Sequence, residues 1–309
     1  MLAYRSCNSK LMEEDRDTCL MNGVGEVDVI EKIEREVGIT PLGLFSKFAQ
    51  SSKLIRNRLL KKQVKNGARA GKMDFPLDRY LFSLGFQIER TNEIYAQFDS
   101  VNTEAVNHLK KLEVSAGTGI SYKPLIEVTH LFEYYIFLLS RTLSTIGNVN
   151  LFVFETEDQC SYNFNKQREK ILEGRDIFGP EYTSIIRDMG WYNEVRIVRD
   201  NTAHFIGGFT ALDKDGPGKP SLIYFSYPIL DNYDDDADNI QIDISQAVKA
   251  YHEGFNNTLN RIGRCYLKQL EPEAVWNTPD RTYQHFSEIK LSGLFDGKVN
   301  LKRLEESYN

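Results

Sequence analysis

Apolar residues that recur every three to four positions dominate the chain, and this period predicts helices. The widest apolar surface belongs to residues 127–146, with Val128, Leu131, Phe132, Tyr135, Ile136, Leu139, Leu143 and Ile146. A helix that is apolar over so much of its circumference must be covered on several sides. We therefore predict that it is the central helix of a bundle, with Gly147 as its C-cap.

Further helices are predicted upstream of this one. Thr40 and Pro41 indicate a helix start, and Asp74 with Pro76 indicates another, followed by a short separate helix at residues 103–112. The stripe of the second helix is formed by Leu77, Leu81, Leu84, Ile88 and Tyr95. This stripe requires a packing partner, which the central helix would supply.

Downstream of the central helix, three more helical segments are predicted. One covers residues 165–173, and another begins at Pro180 and is interrupted at Gly190. Asp243 is expected to cap a long amphipathic helix that continues to about Leu270. These helices would close the bundle around its central member.

Two short segments have the alternating pattern of strands instead. Residues 209–212 and 221–230 alternate, and the connection between them is rich in turn residues, which predicts a β-hairpin inserted between helices. The predicted fold is mainly α. Its expected parts are a helical N-terminal region at residues 1–120, a bundle with the hairpin at residues 121–270, and an extension at residues 271–309 packed on the bundle.

Composition excludes several classes of protein. The chain has 309 residues, a formal charge of −6 and 41% hydrophobic residues, which is ample for a core. No apolar run reaches the roughly 20 residues of a membrane span, and no apolar segment of a secretion signal follows the N-terminus. Cysteines in pairs at metal-ligand spacing are absent from the sequence. A cytoplasmic protein with reduced thiols, no cofactor and no membrane partner is expected.

Charge is unevenly distributed. Residues 40–72 contain no Asp or Glu but many basic residues, from which we predict RNA backbone contact by Lys53, Arg56, Arg58, Lys61, Lys62, Lys65 and Arg69. The alternative is a solvated helix face, because charge runs are commonly only solvated. A second run is acidic: Asp231, Asp234, Asp235, Asp236 and Asp238. It lacks regular ligand spacing, so a solvated loop is favoured there and no metal site is predicted.

One short motif carries chemistry. It comprises Arg199, Asp200, Asn201, Thr202, Ala203 and His204. Metal-free RNA cleavage needs a base for the 2′-hydroxyl, an acid for the leaving 5′-oxygen and a cation for the phosphate. His204 can exchange protons near neutral pH, Arg199 can bind phosphate oxygens, and Asp200 can orient one of them. Alternatively, His204 is a buried core histidine and Arg199 forms an ordinary ion pair with Glu194 or Asp200.

The motif, an arginine followed by a polar residue and, five positions after the arginine, a histidine, resembles the signature of the HEPN superfamily. The resemblance covers roughly residues 127–270 and implies a helical bundle and a metal-independent endoribonuclease, with a role in a toxin or antiphage system and a possible antitoxin or regulatory partner. It also implies that two motifs line one cleft. Some members of the family are not catalytic, so a binding module for nucleic acid or protein is the alternative function.

The number of histidines leads independently to the same oligomeric state. One motif supplies a single histidine, whereas the reaction needs both a base and an acid. Two copies of the chain would provide both groups, although polarised water or the substrate itself is an alternative source of one. We therefore expect RNA as the substrate and a homodimer or a higher even oligomer as the active species.

Overall fold

The computed structural model describes residues 40–65, 76–111, 123–156, 160–204, 207–213, 221–226 and 240–270. Within these residues the fold is mainly helical, with eight α-helices and one small antiparallel sheet, as predicted. The helices are α1 (Pro41–Ser51), α2 (Lys53–Lys65), α3 (Pro76–Lys111), α4 (Lys123–Val153), α5 (Phe164–Leu172), α6 (Pro180–Arg187), α7 (Tyr192–His204) and α8 (Ile244–Leu267). The strands are β1 (Phe209–Asp213), β2 (Ser221–Ser226) and β3 (Ile240–Asp243).

Caps predicted from the sequence begin two of the helices. Thr40 precedes α1, and its hydroxyl accepts a hydrogen bond from the amide of Gly43 at 3.2 Å. Asp243 precedes α8, and its carboxylate accepts from the amides of Ser245 and Gln246 at 3.1 and 3.3 Å. Both caps satisfy amides that have no partner within the first turn of a helix.

The helix α3 differs from its prediction. The separate short helix predicted at residues 103–112 is wrong, because α3 continues without a break from Pro76 to Lys111. Its buried stripe extends through Ile94, Phe98, Ala105 and Leu109. Residues 86–111 contain no glycine or proline that would end a helix. Packing of the long stripe against α4 stabilises one continuous helix of 36 residues.

The helix α4 is central, as predicted, but it does not end at Gly147. It continues to Val153, and it contacts α3, α5, α7, α8 and β1. A Cβ atom on Gly147 would lie 3.0 Å from the backbone nitrogen of Phe164. Gly147 therefore permits a close approach of the segment that begins α5, rather than ending a helix.

The helix α4 also connects the core through a buried polar network. Asn150 donates to Gln167 Oε1 at 2.9 Å and to the hydroxyl of Tyr182 at 2.6 Å. Its Oδ1 accepts from the hydroxyl of Tyr266 at 2.6 Å. Burial raises the pKa of Tyr266 well above its usual value, so this hydroxyl remains a donor. One side chain thus links α4 to α5, α6 and α8.

The predicted hairpin is confirmed, and a third strand extends it. The strands lie in the order β1, β2, β3 and are antiparallel, with Thr210 opposite Tyr224 and Tyr224 opposite Ile242. The sequence analysis missed β3 because it has only four residues and leads directly into the cap of α8. The hydroxyl of Thr129 on α4 donates to that of Thr210 at 2.7 Å and so fixes the sheet to the bundle.

Two features of the described residues bear on the classes of protein that composition excludes. The helix α4 is long and apolar enough to cross a membrane, but 78% of its most apolar 18-residue segment is buried inside the bundle. This burial is consistent with the core helix of a soluble protein. In the described part of the chain, no three His, Cys, Asp or Glu side chains group as metal ligands would. The acidic run at residues 231–238, the extension at residues 271–309 and the boundary near residue 120 lie outside the described residues.

Candidate active site

The motif lies on one helix. Buried Tyr192, Val195 and Val198 hold α7 in the core and against α4, and this leaves Arg199 and Asp200 at the edge of the packed surface. His204 is the last residue of α7. Its side chain lies outside the described residues, so the predicted catalytic histidine is located by its backbone alone.

Arg199 and Asp200 form an ion pair. Arg199 Nη1 lies 2.9 Å from Asp200 Oδ1, and Arg196 Nε lies 3.7 Å from Asp200 Oδ2. The Arg199 side chain is 27% exposed, and its buried Nε has no hydrogen-bond partner among the described residues. Glu194, the other partner weighed for Arg199, instead accepts a hydrogen bond from the hydroxyl of Tyr251 at 2.7 Å. Asp200 thus orients Arg199 while leaving part of its guanidinium available.

Two further arginines belong to the same site. Arg168 on α5 is buried, its guanidinium carbon lies 5.8 Å from the centre of the Tyr192 ring, and its Nη2 donates to Asn193 at 2.8 Å. Arg196 Nη1 lies 3.0 Å from Glu169. The buried Nε of Arg168 also lacks a partner among the described residues. Burial lowers the pKa of Arg168, and the charge of Arg196 contributes to the lowering.

Ion pairs bring these charges together, because Arg196 and Arg199 share the carboxylate of Asp200 and Arg196 also pairs with Glu169, the neighbour of Arg168 in the sequence. Burial raises the pKa of Tyr192, and a hydrogen bond with Ser140 and the positive charges of Arg199, Arg196 and Arg168 oppose that rise. We call Arg168, Arg196 and Arg199 the arginine cluster. Its three positive charges outnumber by one the negative charges of the two carboxylates that contact it, Glu169 and Asp200. Such a site favours an anion, and guanidinium groups match phosphate oxygens.

The middle of the motif has a structural role. Asn201 is buried and donates to the hydroxyl of Ser226 on β2 at 3.3 Å. Thr202 donates to the carbonyl of Val198 within the helix at 2.9 Å. Asn201 thus connects the end of α7 to the sheet, whereas Arg199 and Asp200 face the edge of the bundle.

Glu133 is a site residue that the sequence analysis did not identify. Its Oε1 accepts hydrogen bonds from the amide of Gly208 at 2.6 Å and from the hydroxyl of Tyr224 at 2.9 Å. The hydroxyl of Tyr224 also interacts with Thr202, and burial raises its pKa to about 12. A Cβ atom on Gly208 would lie 2.2 Å from the Tyr224 ring. Glu133 therefore anchors the chain four residues after His204; its only signal in the sequence is a charge inside an apolar helix.

The predicted RNA-binding stretch has several different environments. Arg56 forms an ion pair with Asp78 and donates to the carbonyl of Ala49, and Arg58 forms an ion pair with Glu155 and donates to the carbonyl of Phe152. Lys61 and Lys62 are exposed on α2. The side chains of Lys53 and Lys65, and the whole of Arg69, lie outside the described residues. Two of the predicted RNA contacts thus fasten α2 to its neighbours.

Arg58 of this stretch lies near the end of α4, away from the segment that follows the motif. Arg58 contacts α4 at Phe152, whereas Glu133 of α4 holds the segment that follows the motif. At 1.5 Å per residue, Phe152 and Glu133 are about 30 Å apart along the helix axis.

The arrangement can bind a phosphate through guanidinium groups next to the helix end that carries His204. Asp200 fixes one of these groups, and Glu133 fixes the chain after the histidine. The comparisons with known proteins add no relative to this description. No protein-family model, no curated protein and no solved structure matches the chain.

Proposed function

We propose that the chain is a metal-independent endoribonuclease of HEPN type that acts as a toxin or antiphage effector. The observation that carries this proposal is the arginine cluster, in which Arg196 and Arg199 share Asp200 on the helix that ends in His204, while Arg168 lies beside Glu169, the other partner of Arg196. A cation-rich site next to a titratable histidine has the groups that cleavage of a phosphodiester requires.

In the proposed reaction the 2′-oxygen of RNA attacks the adjacent phosphorus, and the bond to the 5′-oxygen breaks. One histidine accepts the 2′-hydroxyl proton and a second protonates the leaving oxygen, so the products carry a 2′,3′-cyclic phosphate and a 5′-hydroxyl. Arg199 and Arg196 stabilise the negative charge that grows on the phosphate oxygens. Asp200 holds Arg199 in the orientation that the phosphate requires.

The second histidine comes from a second copy of the chain. Each motif has one histidine, so a two-fold pairing of two α7 helices would place two His204 side chains in one cleft. The active species is accordingly a homodimer or a higher even oligomer, and each site contains two arginine clusters.

The central experiment measures cleavage of a labelled single-stranded RNA by the purified chain in EDTA. Wild type is expected to cut it, whereas Arg199→Ala and His204→Ala are expected to lose cleavage while keeping the circular dichroism of wild type. Arg261→Ala is the matched control, because Arg261 forms an ion pair with Asp188 on another face of the bundle. Loss of cleavage in EDTA, or equal rates for Arg199→Ala and Arg261→Ala, would contradict the proposal.

A subunit-mixing experiment tests whether the active species is a dimer. Activity is compared with that of pure wild type at the same total protein concentration. If one site needs two His204 side chains, an equimolar mixture of wild type and His204→Ala retains about one quarter of this activity after subunit exchange, because only pairs of two wild-type chains cut. If each chain acts alone, half of the activity remains.

The alternative function is a non-catalytic binding module for nucleic acid or protein. The ion pair of Arg199 with Asp200 and the bond of Asn201 to Ser226 favour it, since both give the motif a role in the fold. This alternative predicts that His204→Ala preserves biological activity and that the wild-type chain cuts no RNA in EDTA.

A further inference from the structure

The helix α4 exposes two aromatic side chains although most of it is buried. Tyr134 is 40% exposed and Phe137 is 46% exposed. Their rings are nearly parallel, at an interplanar angle of 15° and a centroid distance of 6.5 Å. Phenylalanine is among the residues most often buried, so an exposed aromatic pair on a core helix requires an explanation. We call Tyr134 and Phe137 the aromatic pair.

The aromatic pair lies next to the motif helix. One turn before Phe137, Glu133 accepts a hydrogen bond from the hydroxyl of Tyr224, which also interacts with Thr202 of α7. One turn after Phe137, Ser140 interacts with Tyr192 of α7. Positions four residues before and three residues after Phe137 share its face of the helix. Phe137 is therefore on the face of α4 that borders α7, between these two contacts.

Cations border the aromatic pair on both sides. Arg90 on α3 lies 5.8 Å from the centre of the Tyr134 ring, and its Nη1 is 3.0 Å from Glu93. On the α7 side, Ser140, three residues after Phe137, interacts with Tyr192, and the charges of the arginine cluster act on the Tyr192 hydroxyl. An apolar protein partner would have to remove these guanidinium groups from water without compensation, which is costly. A polyanion with aromatic faces would instead pair with both kinds of group.

We propose that the aromatic pair is a stacking platform for the bases of single-stranded RNA, and that it holds the phosphate next to a stacked base at the arginine cluster. Bases stack on aromatic side chains with little dependence on sequence, and arginine adds to this binding. Duplex RNA hides its base faces within its own stack and so cannot use the platform. The inference rests on the proposed function for the role of the bound phosphate.

Binding is tested in the full-length chain carrying His204→Ala, so that cleavage does not interfere. Fluorescence anisotropy with a labelled single-stranded RNA and with the same RNA as a duplex gives two dissociation constants. The single strand is expected to bind more tightly, and Phe137→Ala or Tyr134→Ala is expected to weaken its binding roughly 5- to 100-fold. Phe137→Trp keeps a stacking surface and should retain wild-type affinity.

Tyr162→Ala is the matched control, because Tyr162 is an aromatic side chain with 52% exposure that lies on neither α3 nor α4. The substituted side chains are exposed, so thermal unfolding is expected to stay unchanged. Equal affinities for Phe137→Ala and Tyr162→Ala would overturn the platform. So would a shift of the monomer–dimer equilibrium in sedimentation, without a change of RNA affinity, since that identifies a protein interface.

The platform and the proposed function can fail separately. If wild type cuts no RNA but the aromatic substitutions still weaken single-strand binding, the platform stands and the nuclease is refuted. If wild type cuts RNA and Phe137→Ala leaves KM unchanged, the nuclease stands and the platform is refuted.

Discussion

Removing the Glu133 carboxylate is expected to destabilise the segment that follows the motif. A hydrogen bond to a charged group contributes about 1.5–3 kcal/mol. Two such bonds end on Glu133 Oε1, from Gly208 and Tyr224, but the amide of Gly208 also lies 3.1 Å from the hydroxyl of Tyr224 and keeps that partner. Glu133 is only half-buried, so part of the gain is screened by water. We expect Glu133→Ala to lower the free energy of unfolding by about 2–3 kcal/mol.

The neutral substitution separates hydrogen bonding from charge. Glu133→Gln keeps an oxygen that can accept both bonds, so its expected cost is about 1 kcal/mol. Urea unfolding at pH 7, followed by circular dichroism, measures both values. Glu127→Ala is the control, because Glu127 is an exposed glutamate on the same helix and its removal should change stability by less than about 0.5 kcal/mol. Equal stabilities of Glu133→Ala and Glu127→Ala would refute the anchor.

Three further predictions concern the core. Asn150→Ala removes the hydrogen bonds that Asn150 makes with the hydroxyls of Tyr182 and Tyr266 and with Gln167 Oε1, and is expected to cost about 3–4 kcal/mol in urea unfolding; a loss below about 1 kcal/mol would contradict the network. Burial lowers the pKa of His252 from 6.5 to about 4, so its contribution to stability is complete above pH 6.5 and is lost as the pH falls toward 4. The urea midpoint of His252→Gln should therefore fall less than that of wild type between pH 7 and pH 4.5, and equal falls would count against it. Burial raises the pKa values of four tyrosines, Tyr135, Tyr182, Tyr251 and Tyr266. The free energy of unfolding that these neutral side chains contribute is present below pH 10 and is lost as the pH rises above it. The tyrosinate absorbance of these buried tyrosines should appear together with loss of the helical circular dichroism signal. If the absorbance shows that all tyrosines have ionised while the helical signal persists, this coupling is excluded.

Helices could be predicted where a local signal and the packing agree. Thr40 and Asp243 cap helices because a cap depends on amides two or three residues away, and the sequence shows those neighbours directly. The prediction failed at Gly147, where the deciding contact is with Phe164, on another element. Glycine at that position means close approach rather than a helix end, and only the tertiary structure separates the two meanings.

The site was predictable to a similar extent. Arg199, Asp200 and His204 form a contiguous motif, so their placement at one end of α7 follows from the sequence. Arg168 and Glu133 come from other helices, and no periodicity relates them to the motif. The ion pairs of the basic stretch could not be predicted from the sequence. Its charges suggested one RNA surface, but Arg56 and Arg58 meet carboxylates and carbonyl groups that are distant in sequence.

Under the proposed function, the arginine cluster is a binding site rather than a stabilising feature of the fold. Burying an arginine removes it from water, and burial lowers the pKa of Arg168. The Nε atoms of Arg168 and Arg199 recover no hydrogen bond from the described residues. An unsatisfied buried donor costs about 1–3 kcal/mol, a cost that an apolar side chain of similar size would avoid. A phosphate that accepts from the exposed part of the Arg199 guanidinium would offset part of this cost upon binding. The cluster is therefore expected to destabilise the free protein and to stabilise the complex with RNA.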